Sequence, residues 1–321
     1  MYERFYRLRE RPFALTPDLD YLYLSPNHRD ALDHLRLGLE SGAGFVVLTG
    51  EIGCGKTTLL QTLVTSLDGR TLVARLVDTL LEPAELIEAL LIDFGVDQIP
   101  TTKPAMVREL ARVLIDQHTL GRRVVVIIDE AQNLTRRTLE EVRMLSNLET
   151  EKSKLMQILL VGQPGFRQTL ASPALEQLRQ RVTVRFHLDP LSADDTAHYI
   201  NHRLRLAAID QPLVFSRAIT DAIHTRTRGV PRMINVVCDA ILLAGYSEEQ
   251  RGISLTLTQA VFEDLERMGL LSPRTGPSLA VSADRAERAA APARAAERTE
   301  RVAAWPGTPA VTPMPAKEGP R

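Results

Sequence analysis

One octapeptide constrains this chain more than any other feature: Gly50-Glu51-Ile52-Gly53-Cys54-Gly55-Lys56-Thr57. It fits G-x-x-x-x-G-K-[ST] in full, and its setting fits too. The apolar run Phe45 to Thr49 precedes it with strand character, and a helical pattern from about Thr57 to Leu67 follows. The glycines let backbone N–H groups curl around phosphates, and the helix N-terminus adds partial positive charge. Lys56 is expected to reach the β- and γ-phosphates, and the Thr57 hydroxyl to hold Mg²⁺, with Thr58 beside it in the first turn. Cys54 falls at a variable position of the loop. Near a helix N-terminus it reads either as a redox-sensitive thiol or as a small tolerated side chain.

The rest of the chain extends this strand–loop–helix unit. Thr71 to Val77, Val124 to Ile128, Leu155 to Val161 and Val182 to Leu188 read as strands. Ser25 to Gly42, Pro83 to Phe94, Pro104 to Gln117 and Thr138 to Leu148 read as helices between them. Such alternation predicts a parallel sheet covered by helices. After Pro190 the pattern is helical throughout: Ser192 to Ala208, Ser216 to Thr225, Pro231 to Gly245 and Thr258 to Met268. The expected organisation is therefore an N-terminal segment plus α/β nucleotide domain over 1–189 and a small all-α lid over 190–270. A disordered Ala/Pro-rich tail is expected over 271–321. That last stretch holds 8 of the 19 prolines and 13 alanines, with no Ile, Phe or Tyr. It cannot bury enough apolar surface to offset its ordering entropy.

Charge excludes several functions. The whole chain has 39 Lys plus Arg against 40 Asp plus Glu, which argues against a protein that coats nucleic acid. The balance is a sum of unlike parts, because the tail carries 8 basic and 5 acidic residues and leaves the remainder net acidic. Two distant cysteines, Cys54 and Cys238, make neither a disulfide framework nor a multi-Cys zinc site. No run approaches the ~20 apolar residues of a membrane span, and the N-terminus has no apolar leader. The expectation is a cytoplasmic protein that meets a membrane only through partners.

A second half-site follows the strand Val124 to Ile128, which delivers Asp129 and Glu130 at its C-terminal end. Asp129 is expected to position the Mg²⁺ shell and Glu130 to polarise an attacking water, favouring hydrolysis over transfer to a hydroxyl. Two acids ending an apolar run also occur as a solvated turn. Gln163 ends another apolar strand, where an amide can sense a γ-phosphate, or is simply a loop residue. Leu178-Arg179-Gln180-Arg181 offers a guanidinium to a neighbouring subunit, or is a basic turn. Arg228-Gly229-Val230-Pro231-Arg232 opens a lid helix, with Arg232 poised over a nucleotide or merely packed at the helix start. Asp129-Glu130-Ala131-Gln132 is similar to a signature of RNA helicases, but those need two tandem α/β domains and this chain has one.

The order of these motifs resembles the AAA+ ATPases. More narrowly, residues 1 to about 270 resemble the general secretion pathway protein A family and the exosortase (PEP-CTERM locus)-associated ATPases. The likeness rests on Phe5-Tyr6, Pro12-Phe13, Leu15-Thr16-Pro17-Asp18, Tyr23-Leu24-Ser25 and His28. It continues through Thr49-Gly50-Glu51, Asp129-Glu130-Ala131-Gln132, Leu145-Ser146-Asn147-Leu148-Glu149, Gly162-Gln163-Pro164 and Leu188 to Leu191. The resemblance implies a five-stranded parallel core with a helical lid, ATP with Mg²⁺ as ligands, and homo-oligomers. It implies sensor 1 at Gln163, an arginine finger at Arg181, sensor 2 at Arg232, and a segment around Phe13 that covers the adenine. Gln163 departs from the Asn, Ser or Thr usual at sensor 1. Secretion members carry a membrane span and a peptidoglycan-binding domain after the ATPase. This chain has neither, which leans towards the exopolysaccharide-associated type and protein partners in an envelope machine. The alternative is a DNA-bound transposition regulator, whose basic surface would use Arg203, Arg205, Arg226 and Arg228.

Overall fold

The computed structural model describes residues 1–272, apart from 17, 78 and 152. A one-turn helix α1 (Tyr2–Phe5) opens the chain, and α2 (Pro26–Glu40) follows a segment that holds a 3-10 turn at Leu19–Tyr21. The start of α2 is dictated locally: the Ser25 side chain accepts from the His28 N–H, and Pro26 takes the first helical position. Next come β1 (Phe45–Gly50), α3 (Lys56–Ser66), β2 (Thr71–Leu76), α4 (Pro83–Asp93), α5 (Lys103–Thr119) and β3 (Arg123–Ile128). Then follow α6 (Arg136–Leu145), β4 (Gln157–Gly162), α7 (Gly165–Ala171), α8 (Glu176–Arg181) and β5 (Val182–Leu188). The chain continues through α9 (Ala193–Ala207), α10 (Arg217–Thr227), α11 (Pro231–Ser247) and α12 (Leu255–Arg267).

The five strands form one parallel sheet in the order β2-β3-β4-β1-β5. The continuous apolar runs of β1, β3 and β4 follow from burial on both faces. One face, with Val46, Leu48, Val125, Ile127 and Leu159, packs against α2 and α3. The other, with Val47, Val126, Ile128, Ile158 and Leu160, packs against α4, α5 and α6. A buried amide interrupts β4 at its start: Gln157 donates to the Leu39 and Ala43 carbonyls at 2.9 and 3.1 Å, tying the sheet to the end of α2.

The order places β4 between β1 and β3. Strands lie about 4.8 Å apart, so the residue after β4 stands between the loop that follows β1 and the carboxylates that follow β3. Ligands of open α/β sheets bind at this carboxyl edge.

A third apolar cluster belongs to α9–α12, and the beginning of the chain packs into it. Tyr2, Tyr6, Leu8, Phe13 and Tyr21 are buried there with Ile200, Ile223, Ile241 and Phe262. Backbone bonds seal the contact, from Arg9 N–H to Ala207 O and from Ile209 N–H to Arg7 O. By packing, then, the N-terminal segment joins the helical layer rather than the sheet it precedes in sequence. The expected tail lies outside the described residues from 273 onward. Leu271 is buried within the helical cluster.

Candidate active site

The octapeptide loop joins β1 to α3, as its composition demands. Lys56 is buried at 7% exposure, and its ammonium donates to the Gly50 and Glu51 carbonyls at 2.8 and 3.0 Å. Those two bonds fix the charge at the centre of the loop's curl. The N–H groups of Lys56, Thr57 and Thr58 open the first turn of α3 and by helix geometry have no acceptor inside it. The loop and helix therefore present one buried cation, a row of amide donors and a positive helix end, a donor set suited to a polyphosphate.

A histidine latches the loop from behind. His28, buried at 6% exposure, lies 3.0 Å through Nε2 from the Cys54 carbonyl and 2.7 Å through Nδ1 from Ser25 Oγ. A carbonyl only accepts, so Nε2 carries the proton, and Ser25 donates to Nδ1. Burial lowers the pKa of His28 and keeps the ring neutral. His28 and its partner are 26 residues apart in the chain, so no local pattern marks the latch. Cys54 itself is fully buried, and burial pushes its thiol up to about 11. That removes the conditions for a redox-sensitive thiol.

Asp129 ends β3 at 5% exposure, paired with Arg75 of β2 at 3.1 Å. Glu130 follows in the left-handed region, at φ 50°, which turns it out of the strand towards the cleft. Its N–H donates to Asp129 Oδ1 at 3.0 Å, and its carbonyl accepts from Thr79 Oγ1 at 3.2 Å. Gln163, reached from β4, donates to the Glu130 carboxylate at 3.3 Å. Gln132, the last residue of Asp129-Glu130-Ala131-Gln132, donates to the same oxygen.

Arg232 comes from the lid. Its backbone N–H donates to the Gly53 carbonyl at 3.2 Å, and a Cβ at Gly53 would lie 2.6 Å from the Arg232 Cβ. Gly53 has φ +84° and no side chain, so it tolerates both the loop's curl and this close approach. Loop, Glu130 and lid together line one cleft of about 270 Å³, with Ala14, Leu15, Tyr23 and Leu24 also in its lining. Among the described residues no three His, Cys, Asp or Glu side chains converge to hold a resident metal. Thr57 and Asp129 suit an ion that keeps waters and takes phosphate oxygens, as Mg²⁺ does.

One expected residue takes another position. Phe13 is 1% exposed inside the helical cluster and does not line the cleft; its neighbours Ala14 and Leu15 do. Lid side chains impose this turn, since Arg203 donates to the Pro12 carbonyl and Asn235 to the Ala14 carbonyl. Arg181 is tethered within its own chain, donating to Ser146 Oγ at 3.0 Å and to the Asn147 side chain. Arg167, Arg179 and Arg185 instead line a separate cavity of about 380 Å³ against β1 and β5.

The suggested DNA-binding arginines also part company. Arg203 is 7% exposed and stacks over Tyr21 at 4.9 Å, while Arg226 pairs with Glu266 and lies over Phe262. Only Arg205 and Arg228 of the four are exposed.

Loop, carboxylates and lid arginine on a five-stranded parallel sheet define an AAA+ nucleotide-binding protein, and residues 39–170 match the family model described as AAA domain. Within that class the chain is similar to general secretion pathway protein A. It is 42% identical over 252 residues to "General secretion pathway protein A" of Aeromonas hydrophila, covering 77% of this chain. It spans 45% of that protein's length. Similar solved folds include the Aeropyrum pernix ORC2 protein (TM-score 0.60, 16% identity, 79% of this chain and 71% of that one). The Aeropyrum pernix ORC1 protein in complex with DNA is another (0.59, 17%, 81% and 71%). At these identities the likeness is one of fold. No helix among the described residues is long and apolar enough to cross a membrane.

Proposed function

We propose that this protein binds ATP with Mg²⁺ and hydrolyses it to ADP and phosphate, as an oligomeric switch for an envelope, secretion or exopolysaccharide assembly. The observation that carries the ATPase reading is the convergence of Lys56, Glu130 and Arg232 on one cleft. Bound Mg²⁺ supplies charge neutralisation at the phosphates. Lys56 and the loop amides bind and orient the phosphates. Glu130 holds the attacking water and takes its proton. Arg232 ties lid position to the nucleotide through the Gly53 contact. The secretion role draws on the Aeromonas relative, and exopolysaccharide export on the sequence resemblance.

Hydrolysis is completed in trans. Arg181 at the end of α8, or Arg179 beside it, supplies the guanidinium to a neighbouring subunit's phosphate. The test is Glu130→Gln, which is expected to bind ATP and lose turnover. Mixing an Arg181→Ala protein with a Lys56→Ala protein is expected to restore part of the activity that each lacks alone. A Glu130→Gln protein that turns over like wild type refutes the assignment, and absence of rescue refutes the trans arginine.

A further inference from the structure

We infer that Gln132 is the positioning residue for the hydrolytic carboxylate, aiming Glu130 and coupling it to the end of β4. The inference rests on the reading of Glu130 as the group that activates water. Three contacts carry it. Gln132 Nε2 donates to Glu130 Oε2. Gln132 Oε1 accepts the Gln163 backbone N–H at 3.0 Å. Gln163 Nε2 donates to the same Glu130 oxygen at 3.3 Å. One planar amide thus spans two elements, its donor end on the carboxylate and its acceptor end on the strand terminus.

The consequences are chemical. Both amides occupy Oε2, so Oε1 is the oxygen left to face a water in the cleft that Glu130 lines. Glu130 needs that guidance, because its left-handed backbone, φ 50° and ψ 40°, is a strained setting for a residue with a long side chain. Two adjustable amides also make the carboxylate sensitive to β4. A displacement of Gln163 pulls on both donors at once, through its own side chain and through the bond from its N–H to Gln132. The charge pattern agrees: neutral amides hold Glu130 without the strong ion pair that would occupy it, while the nearby cation, Arg75, is spent on Asp129.

The experiment is a kinetic cycle. Gln132→Ala is expected to lower kcat about 10- to 100-fold, the effect of losing a hydrogen bond to a charged group. The KM for ATP and the melting temperature should stay near wild type. Gln132→Met, which keeps the volume, is expected to behave alike. Gln132→Glu keeps an acceptor for the Gln163 N–H but removes the donor, and is expected to be as slow as Gln132→Ala. Gln132→Ala combined with Gln163→Ala should fall short of the product of the single effects, since both act on one oxygen. Three results overturn the inference: Gln132→Ala at wild-type kcat while Glu130→Gln is inactive; equal losses in ATP binding and kcat; or multiplicative effects in the double variant. Wild-type turnover by Glu130→Gln overturns the underlying reading as well, so the two failures are distinguishable.

Discussion

Replacing His28 by alanine tests whether the phosphate loop is held by the helix behind it. The imidazole makes one buried bond to the Cys54 carbonyl and receives one from Ser25. In His28→Ala the Ser25 side chain still caps the residue-28 N–H, so α2 keeps its start. The Cys54 carbonyl loses its donor, which costs about 1–3 kcal/mol for a buried acceptor. For a domain of this size that is a fall of about 2–10 °C in melting temperature. The part of the cost that falls on the phosphate-binding conformation weakens ATP binding by up to about 5- to 150-fold. The assays are thermal melts without nucleotide and titration with a fluorescent ATP analogue. His28→Gln, whose amide can reach the same carbonyl, should recover most of both quantities. Wild-type melting and affinity in His28→Ala would refute the latch, and a Gln variant as impaired as Ala would show that ring shape matters rather than the bond. The pH dependence follows with its sign. Burial lowers the folded pKa of His28, so between the ordinary histidine value near 6.5 and that lower value the unfolded chain binds the extra proton. The stabilisation is complete above about 6.5 and is lost as pH falls below it. His202, also lowered by burial, acts in the same direction. Melting temperature should therefore drop from pH 7.5 to 5.5, and drop less in His28→Gln.

Gly229→Ala should destabilise the junction of sheet and lid by about 2 kcal/mol or more, because φ is +72° there and the new Cβ would lie 2.0 Å from the Leu191 carbonyl; an unchanged melting curve contradicts the geometry. Arg203→Ala should release the N-terminal segment, raising the KM for ATP and opening the chain near Arg9 and Arg11 to trypsin, since it removes the donor to Pro12 and the stack on Tyr21. Mass spectrometry under native conditions at pH 8 should find Cys54 resistant to iodoacetamide, given its burial and raised pKa; rapid labelling contradicts that.

Much of this protein is legible in its sequence where the governing physics is local. The Gly50–Thr57 loop, the Ser25 cap and the apolar runs of β1, β3 and β4 carry their conformations in their own residues, and the alternation of strands and helices determines a parallel sheet. Lys56, Thr57, Asp129 and Glu130 are placed by these short-range rules. The short helices α7 and α8 carry no periodicity long enough to read. Only tertiary structure decided the remainder. The order β2-β3-β4-β1-β5 sets Gln163 against Glu130, 33 residues away in the chain, and brings Gln132 between them. Burial of Phe13 and Arg203 in the helical layer, and the pairing of Arg226 with Glu266, withdrew residues that read as surface or site. The sequence does not encode which side of an N-terminal segment faces a lid folded some 190 residues later, as the Arg203–Pro12 bond does. Such contacts depend on long-range packing, where many side chains are chemically suitable and the three-dimensional arrangement selects among them.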